Sequence, residues 1–580
     1  AAGCEGQDVI TVTAVTGGSS VSDSTSVTID AVAVGAIEYV SSTPKLLALR
    51  GTGGVTGTGS RSETSVVSFK LLDESNQAAP NELVCFELST DVGSMTLSPS
   101  PLAEDYLKCS NMPQLGDAQY PADITLANKY AVGYTNAAGD VSVTVHSGDV
   151  PTSVKVFALW SESKSSGHNA VISNTSDELV VTTGIVDNDS FSLSTDIGNP
   201  EGWNFDNKTV AVNALAADHF NNLVPEGTTI TFRTEGGAID GSCVTGSKDA
   251  DTPNGACSVE WRSQDARPFR GTAIICPNGG YNDGVKSLTT PPCIGNNYSK
   301  YVSGVNSIIP EPRPGRVTIT AYAIGEESFV DLNGNGLDRG EFFLDLSEAF
   351  TDHNEDGRYR DKARFIGDAV LDAKPAGSVN EEFIDYNADQ VFNEGDGKYT
   401  GLLCAAGAEA DCTDTGTGNF QSQLNVFRNT TIVMSGSVPF GRLVDIENFG
   451  RAVDVDVNDI TAAATIDLQS VLVDDDNDSR TPDVDIGLSS KTVYLFLSDA
   501  NNNTLPFGTT ITASTDNGEL SSTSQSYTIG SNISNKPLLF EFLVSRESAP
   551  NKKAEGTLLI TVKTPEGEPV SYSLAVRDNG

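Results

Sequence analysis

The sequence predicts an all-β chain built as a string of β-sandwich domains, and three observations predict it. Runs of five to nine β-branched or alternating residues, bounded by Gly, Asn, Asp and Ser, recur along the 580 residues. No amphipathic helical stretch competes with them. One strand-and-turn pattern also returns at a spacing above a hundred residues, as in a modular array rather than a single large core.

The elements follow in order. Residues 1–34 hold two strand patterns, Val9–Val15 and Ser24–Ile29, which read as the closing strands of a partial module. Two isolated strands are marginal in water. The expectation is therefore a C-terminal part of a longer protein, or strands that complete a sandwich with another molecule. Residues 35–184 carry the first full copy. Val66–Leu72 leads to Asp73-Glu74-Ser75-Asn76-Gln77, then Leu83–Leu88, then a turn at Asn136-Ala137-Ala138-Gly139-Asp140 and closing strands Val141–Val145 and Val154–Leu159.

The second copy, 185–437, repeats the order with Thr209–Ala214, Asp218-His219-Phe220-Asn221-Asn222, Gly227–Phe232 and Glu235-Gly236-Gly237, and later strands at Ser258–Trp261 and Val317–Ala323. An acidic insertion, about 331–423, separates its last two strands, and Asn425–Ser435 returns as the closing one. The third copy, 438–580, has Val493–Leu497, Asp499-Ala500-Asn501-Asn502-Asn503, Gly508–Ala513, Asp516-Asn517-Gly518, Leu558–Val562 and Val570–Ala575.

Charge narrows the function classes. With 36 Lys+Arg against 78 Asp+Glu the net charge is −42. A polyanion repels nucleic acid and anionic membrane, so cations are its natural counterpart. No apolar run approaches the ~18–20 residues of a membrane-spanning helix. Four His, three Met and three Trp leave little material for imidazole, haem or redox chemistry. Eight of nine cysteines fall at loop-like spacings: Cys85 and Cys109, Cys243 and Cys257, Cys276 and Cys293, Cys404 and Cys412. None has zinc-finger spacing, and in a secreted chain disulfides across long loops are expected. Cys4 is left over, and is read as a loop cysteine in preference to a lipid anchor.

The repeated strand–Asp-x-x-Asn–Pro–Gly-Thr-x-Ile pattern, with an Asn-x-x-Gly turn before a Val/Thr-rich strand, resembles bacterial Ig-like domains of the invasin/intimin type. The likeness covers most of 35–325 and 460–580 and is closest in the middle copy, at Ala217–Asn222, Thr234–Gly237, Trp261-Arg262-Ser263-Gln264 and Arg267-Pro268. It implies tandem immunoglobulin-like β-sandwiches on a bacterial surface, used for adhesion or as a stalk. The acidic insertion departs from that pattern.

The insertion carries the strongest chemical signal, at Asp331-Leu332-Asn333-Gly334-Asn335-Gly336-Leu337-Asp338-Arg339-Gly340-Glu341. Oxygen ligands at alternate positions, a turn Gly and a later carboxylate can wrap Ca²⁺, which takes six to eight oxygens at ~2.3–2.6 Å. An EF-hand has its Glu at position 12; Glu341 stands at position 11, and no helices are expected around it. Asp331, Asn333, Asn335, Asp338 and Glu341 are the candidate ligands here. A second loop offers Asp352, Asn354 and Asp356 before Gly357, with Asp361 beyond. A third offers Asp385, Asn387 and Asp389, where Gln390 replaces the turn Gly, and Asn393, Glu394 and Asp396 lie near it. Asp345 and Glu348, between the first two loops, are candidates to bridge ions. Like charge this dense repels itself, so the metal is expected to help the insertion fold. Two other acidic runs, Asp187-Asn188-Asp189 at a module junction and Asp474–Asp478, read more simply as junction and linker.

Catalytic patterns are missing: no Gly-x-Ser-x-Gly, no His-Glu-x-x-His and no phosphate-binding Gly loop. His219 and His353 stand in turns and read as structural. The expectation is a non-enzymatic, extracellular, calcium-stabilised repeat protein, an adhesin or stalk, whose partner is a surface ligand or glycan. Its alternatives are a filament subunit joining copies of itself by strand complementation, and the non-catalytic binding region of a larger secreted enzyme.

Overall fold

Strands and turns make up almost all of the described chain in the computed structural model. The structure describes residues 6–29, 33–51, 62–99, 109, 129–161, 171–246, 254–268, 299–301, 308–310, 315–334, 336–353, 355, 357–359, 365–366, 369–370, 381–405, 407–413, 423–444, 483–485, 490–535, 537–546 and 554–578. They form two compact units: residues 1–185 with 220–222 and 331–341, and residues 186–219, 223–330 and 342–580.

The first unit opens with a ribbon, Gly6–Thr16 against Ser19–Ile29. Its register pairs Ile10 with Thr25, Val12 with Asp23 and Ala14 with Val21. Because paired residues share a face and the period is two, Ile10, Val12, Ala14 and Val21 line one face with Asp23 and Thr25, while Val9, Thr11, Thr13, Val15, Ser22 and Ser24 line the other. Ile10, Val12 and Val21 are exposed. An immunoglobulin-like sandwich follows. One sheet runs Val34–Thr43, Thr64–Asp73, Asp140–His146, Thr96–Ser98; the other runs Val171–Thr175, Val156–Ser161, Leu83–Leu88, Tyr130–Tyr134. Alternation drives the packing: Val141, Val143 and Val145 point inward from a strand whose intervening residues are partly or wholly exposed. Phe69 and Phe86, from opposite sheets, meet with ring centroids 5.8 Å apart.

The second unit holds two more sandwiches. In the first of them, Arg316–Glu326 is central to a sheet with Val186–Asp187, Thr229–Thr234, Ser242–Val244 and Leu424–Val433. The facing sheet is Phe191–Thr195, Thr209–Ala216, Ala256–Arg262, Ala238–Ile239. Trp261 fills this core fully buried, with Val212, Phe232, Ile319 and Val426, and its Nε1 donates to Gly236 O at 2.8 Å. The last sandwich faces Phe440–Val444, Ser490–Ser498, Leu538–Ser545 and Glu519–Leu520 against Asp483–Asp485, Val570–Asp578, Ala554–Lys563, Thr510–Thr515 and Ser526–Thr528. Val493, Leu495, Ile511, Phe542 and Ile560 are buried between them.

The repeated sequence pattern has a repeated backbone. Each Asp-x-x-Asn turn places its Asn in the left-handed region: Asn76 at φ 58°, Asn221 at 61°, Asn502 at 59°. Asn visits that region at low cost because its short polar side chain bonds locally. Asp73 Oδ1 accepts the N–H groups of Ser75 and Gln77, and Asp499 Oδ1 those of Asn501 and Asn503, all within 2.8–2.9 Å. A glycine closes the next hairpin against the preceding strand. A Cβ on Gly139 would sit 2.5 Å from Leu71 O, and one on Gly255 2.5 Å from Ala216 O.

Within the second unit the two sandwiches are joined by buried polar groups. Asp499 Oδ2 accepts Gly436 N–H at 2.9 Å, and Ser435 Oγ donates to Thr504 O at 2.7 Å. Asn199, fully buried, donates to Leu505 O at 2.8 Å and accepts Asn532 N–H at 3.1 Å. Arg316 Nη1 reaches Ile533 O at 2.7 Å.

Three disulfides lie among the described residues: Cys85–Cys109, Cys243–Cys257 and Cys404–Cys412. Cys4, Cys276 and Cys293 lie outside them. No helix among the described residues is long and apolar enough to cross a membrane.

Candidate calcium loops

The insertion leaves and rejoins the sandwich at adjacent positions, Gly325 pairing with Leu424 at the end of a ten-residue antiparallel ladder. Its own small core is aromatic. Tyr359 stacks on Phe392 at 3.9 Å, and Phe350 packs on both Phe392 and Phe427. Backbone ties fix it on the sheet: Thr318 Oγ1 donates to Asp352 O at 2.8 Å and Asn429 Nδ2 to Phe350 O at 3.1 Å. Two side-chain pairs add to these. Arg316 grips Glu355 through Nε and Nη2, and His353 Nδ1 lies 3.0 Å from Glu235 Oε1. His219, in the same unit, stacks on Phe329 at 4.2 Å beside Asp187. Both histidines serve here as ties between segments.

All three acidic loops share one backbone shape. In each, the residue three after the leading Asp and the residue five after it are left-handed: Gly334 and Gly336 at φ 73° and 71°, Glu355 and Gly357 at 59° and 75°, Ala388 and Gln390 at 62° and 65°. In each, Oδ2 of the leading Asp accepts the N–H five residues on. Asp331 takes Gly336, Asp352 takes Gly357 and Asp385 takes Gln390, all at 2.8 Å. Three non-glycine residues therefore stand where a Cβ costs roughly 1–2 kcal/mol.

In the first loop, Asp331 Oδ1 also accepts Gly334 N–H at 2.7 Å. Glu341 folds back so that Oε1 accepts from Leu332 N and Asn333 Nδ2, both at 3.1 Å. Its other oxygen, Oε2, is buried without a hydrogen-bond partner. A buried carboxylate oxygen left bare is costly, and a cation is the partner it suits. Asp338 is buried and caps Gly340 N and Glu341 N. Asn335, Asn354, Asp356 and Asp361 lie outside the described residues, as does the run at 474–478.

Asp345 and Glu348 turn to the segment of the third loop. Glu348 accepts Tyr386 N–H and Asn393 N–H, and Asp345 accepts Gly397 N–H. A Cβ on Gly395 would fall 2.1 Å from Asp345 Oδ1, so a larger residue there would displace that carboxylate. Asn387 Nδ2 bonds Asp389 Oδ2 and Asn393 Oδ1. The N–H of Val391 holds the Asp389 carboxyl below its ordinary range.

Sequence reasoning missed the acids at the root of the insertion. Glu326 is fully buried, accepts Leu402 N–H, and burial followed by nearby Asp187 pushes its carboxyl up to about 8. Glu327 caps Leu346 N and Thr400 N, and burial, with Asp345 and Asp396 close by, pushes it to about 8. Two adjacent acids ending a strand of apolar character were the available signal.

The donor set is oxygen throughout, carboxylate and amide, as a hard cation requires. Among the described residues no group of three or more His, Cys, Asp or Glu side chains is arranged to hold a metal ion. The fit therefore depends on amide and backbone oxygens beside the carboxylates. The residues that would hold Ca²⁺ are the alternate-position side chains of each loop with Glu341 in the first; the ion would supply the positive charge that these oxygens lack.

No protein-family model and no curated protein matches the chain. Solved structures do. The D0-D1 domain of intimin is 14% identical, covering 50% of this chain and 90% of that one, with a TM-score of 0.17. Invasin, a bacterial integrin-binding protein, is 8% identical over 93% of this chain and 60% of its own, at 0.20. A Ca²⁺-stabilised adhesin that helps an Antarctic bacterium bind ice is 11% identical over 98% and 80%, at 0.17. At such TM-scores the chains do not superpose as wholes.

Proposed function

We propose that this chain is an extracellular, calcium-stabilised Ig-like repeat protein of a bacterial surface, acting as an adhesin or structural stalk without catalysis. The observation that carries the reading is the shared loop backbone, adopted even where Glu355, Ala388 and Gln390 replace glycine. Ions bound at Asp331, Asn333, Asn335, Asp338 and Glu341, at Asp352, Asn354, Asp356 and Asp361, and at Asp385, Asn387 and Asp389 would offset that strain and the repulsion among acids. Asp345 and Glu348 would brace the third loop. The chain divides, on this reading, into a partial module at 1–34 and Ig-like modules at 35–184, 185–437 and 438–580. The ligand is a surface molecule or glycan.

Thermal unfolding of the whole chain in Ca²⁺ and in EDTA tests it. A rise of many degrees with calcium, reduced by Asp331→Ala, is expected; equal melting in both buffers would refute it. A second reading, assembly with further copies by strand complementation, is favoured by the two-stranded ribbon whose apolar side chains are exposed on both faces, Val9 and Val15 on one and Ile10, Val12 and Val21 on the other. Sedimentation of the intact chain separates the two, since assembly requires mass that grows with concentration.

A further inference from the structure

We propose that Asn333 is a site of spontaneous deamidation, gated by closure of the first acidic loop. This rests on the calcium reading of that loop. Asn-Gly steps are the susceptible ones, because a following glycine puts no side chain in the path of its own backbone nitrogen. Among the described residues there are three. Asn517 is 5% exposed and its amide is tied to Val576 O at 3.0 Å, so it has no room to turn. At Asn254 the following Gly255 is wedged against Ala216 O and Leu223. Asn333 differs. It and Gly334 are exposed, and nothing lies within 4 Å of the place a Gly334 Cβ would occupy.

In the reaction, Gly334 N attacks Asn333 Cγ and loses its proton, ammonia leaves, and a five-membered succinimide forms. Water then opens the ring at one carbonyl or the other, giving Asp or isoaspartate at 333. The closed loop blocks both partners. Gly334 N–H is held by Asp331 Oδ1 at 2.7 Å, and Asn333 Nδ2, the departing nitrogen, by Glu341 Oε1 at 3.1 Å. Both clamps are carboxylates that self-repulsion loosens and a cation holds in place. Opening the loop therefore frees nucleophile and leaving group together. The isoaspartyl product adds a backbone atom between Asp331 and Gly336, so the 2.8 Å bond joining them no longer closes. Deamidation would make loss of the loop irreversible.

The test incubates the intact chain in Ca²⁺ or in EGTA and follows peptides by mass, with chromatographic separation of Asp from isoaspartate. Conversion at Asn333 is expected several-fold faster in EGTA, while Asn517 stays slow in both. Calcium uptake by fresh protein is measured alongside by isothermal titration. Uptake with equal Asn333 rates in the two buffers overturns this inference alone. No uptake overturns it together with the functional reading.

Discussion

Asp499→Asn is a change whose effect the structure localises to one bond. Oδ1 holds the turn through Asn501 N and Asn503 N, and Oδ2 alone reaches Gly436 N, 2.9 Å away in the segment entering the last sandwich. Asparagine keeps an acceptor for the turn and puts an NH₂ opposite the Gly436 N–H, donor against donor. The site is fully buried, so water cannot repair the conflict. Leaving such a group unmet costs about 1–3 kcal/mol, partly offset because a buried charge is removed. Melting should fall by a few degrees. Amide hydrogen exchange gives the decisive readout. Gly436 should lose protection in the variant while Asn501 and Asn503 keep theirs. Undiminished protection at Gly436 would refute the account, and so would loss at all three, which would mean that turn and joint cannot be separated.

Other outcomes follow from the same geometry. Gln390→Gly, alone or with Ala388→Gly, removes Cβ atoms from left-handed positions and should stabilise the third loop by about 1 kcal/mol per site, read as tighter calcium binding by titration calorimetry. Gly255→Ala should lower the melting temperature clearly, because its Cβ would meet Ala216 O at 2.5 Å; an unchanged melt would show that the hairpin can shift. Glu326 binds its proton more tightly folded than unfolded, its carboxyl rising from 4.5 to about 8. The folded state then holds the extra proton between those values, so this group's contribution to stability should fall as pH rises through that window. Denaturant melts of wild type and Glu326→Gln over that range check it, the variant losing part of the slope.

The strands were legible because period-two alternation marks an inward face, as in Val141–Val145, and because Asp-x-x-Asn and Asn-x-x-Gly turns have few backbone solutions. The loop beginning at Asp385 was harder to read, since Gln390 and Ala388 stand where glycine is the usual signal. Where Asp345 and Glu348 point could not be read at all. Their partners, Gly397, Tyr386 and Asn393, lie some forty to fifty residues later in the chain and meet them only on folding. The same holds for Asp499 and Gly436. Pattern along the chain reports which face is dry; it does not report which distant N–H a carboxylate will find.

The neighbouring exit and entry of the acidic excursion, at Gly325 and Leu424, make it an appendage on a finished hairpin. Its two roots are already held together by the ladder, so lengthening or shortening the excursion changes closure entropy only slowly, by about 0.6 kcal/mol for each doubling. Material could be added to its outer loops without re-registering a core strand, provided Phe350, Asp352 and Glu355 keep their ties to the sheet. That gives the sandwich a socket, in which new binding chemistry can be tried while the scaffold stays the same.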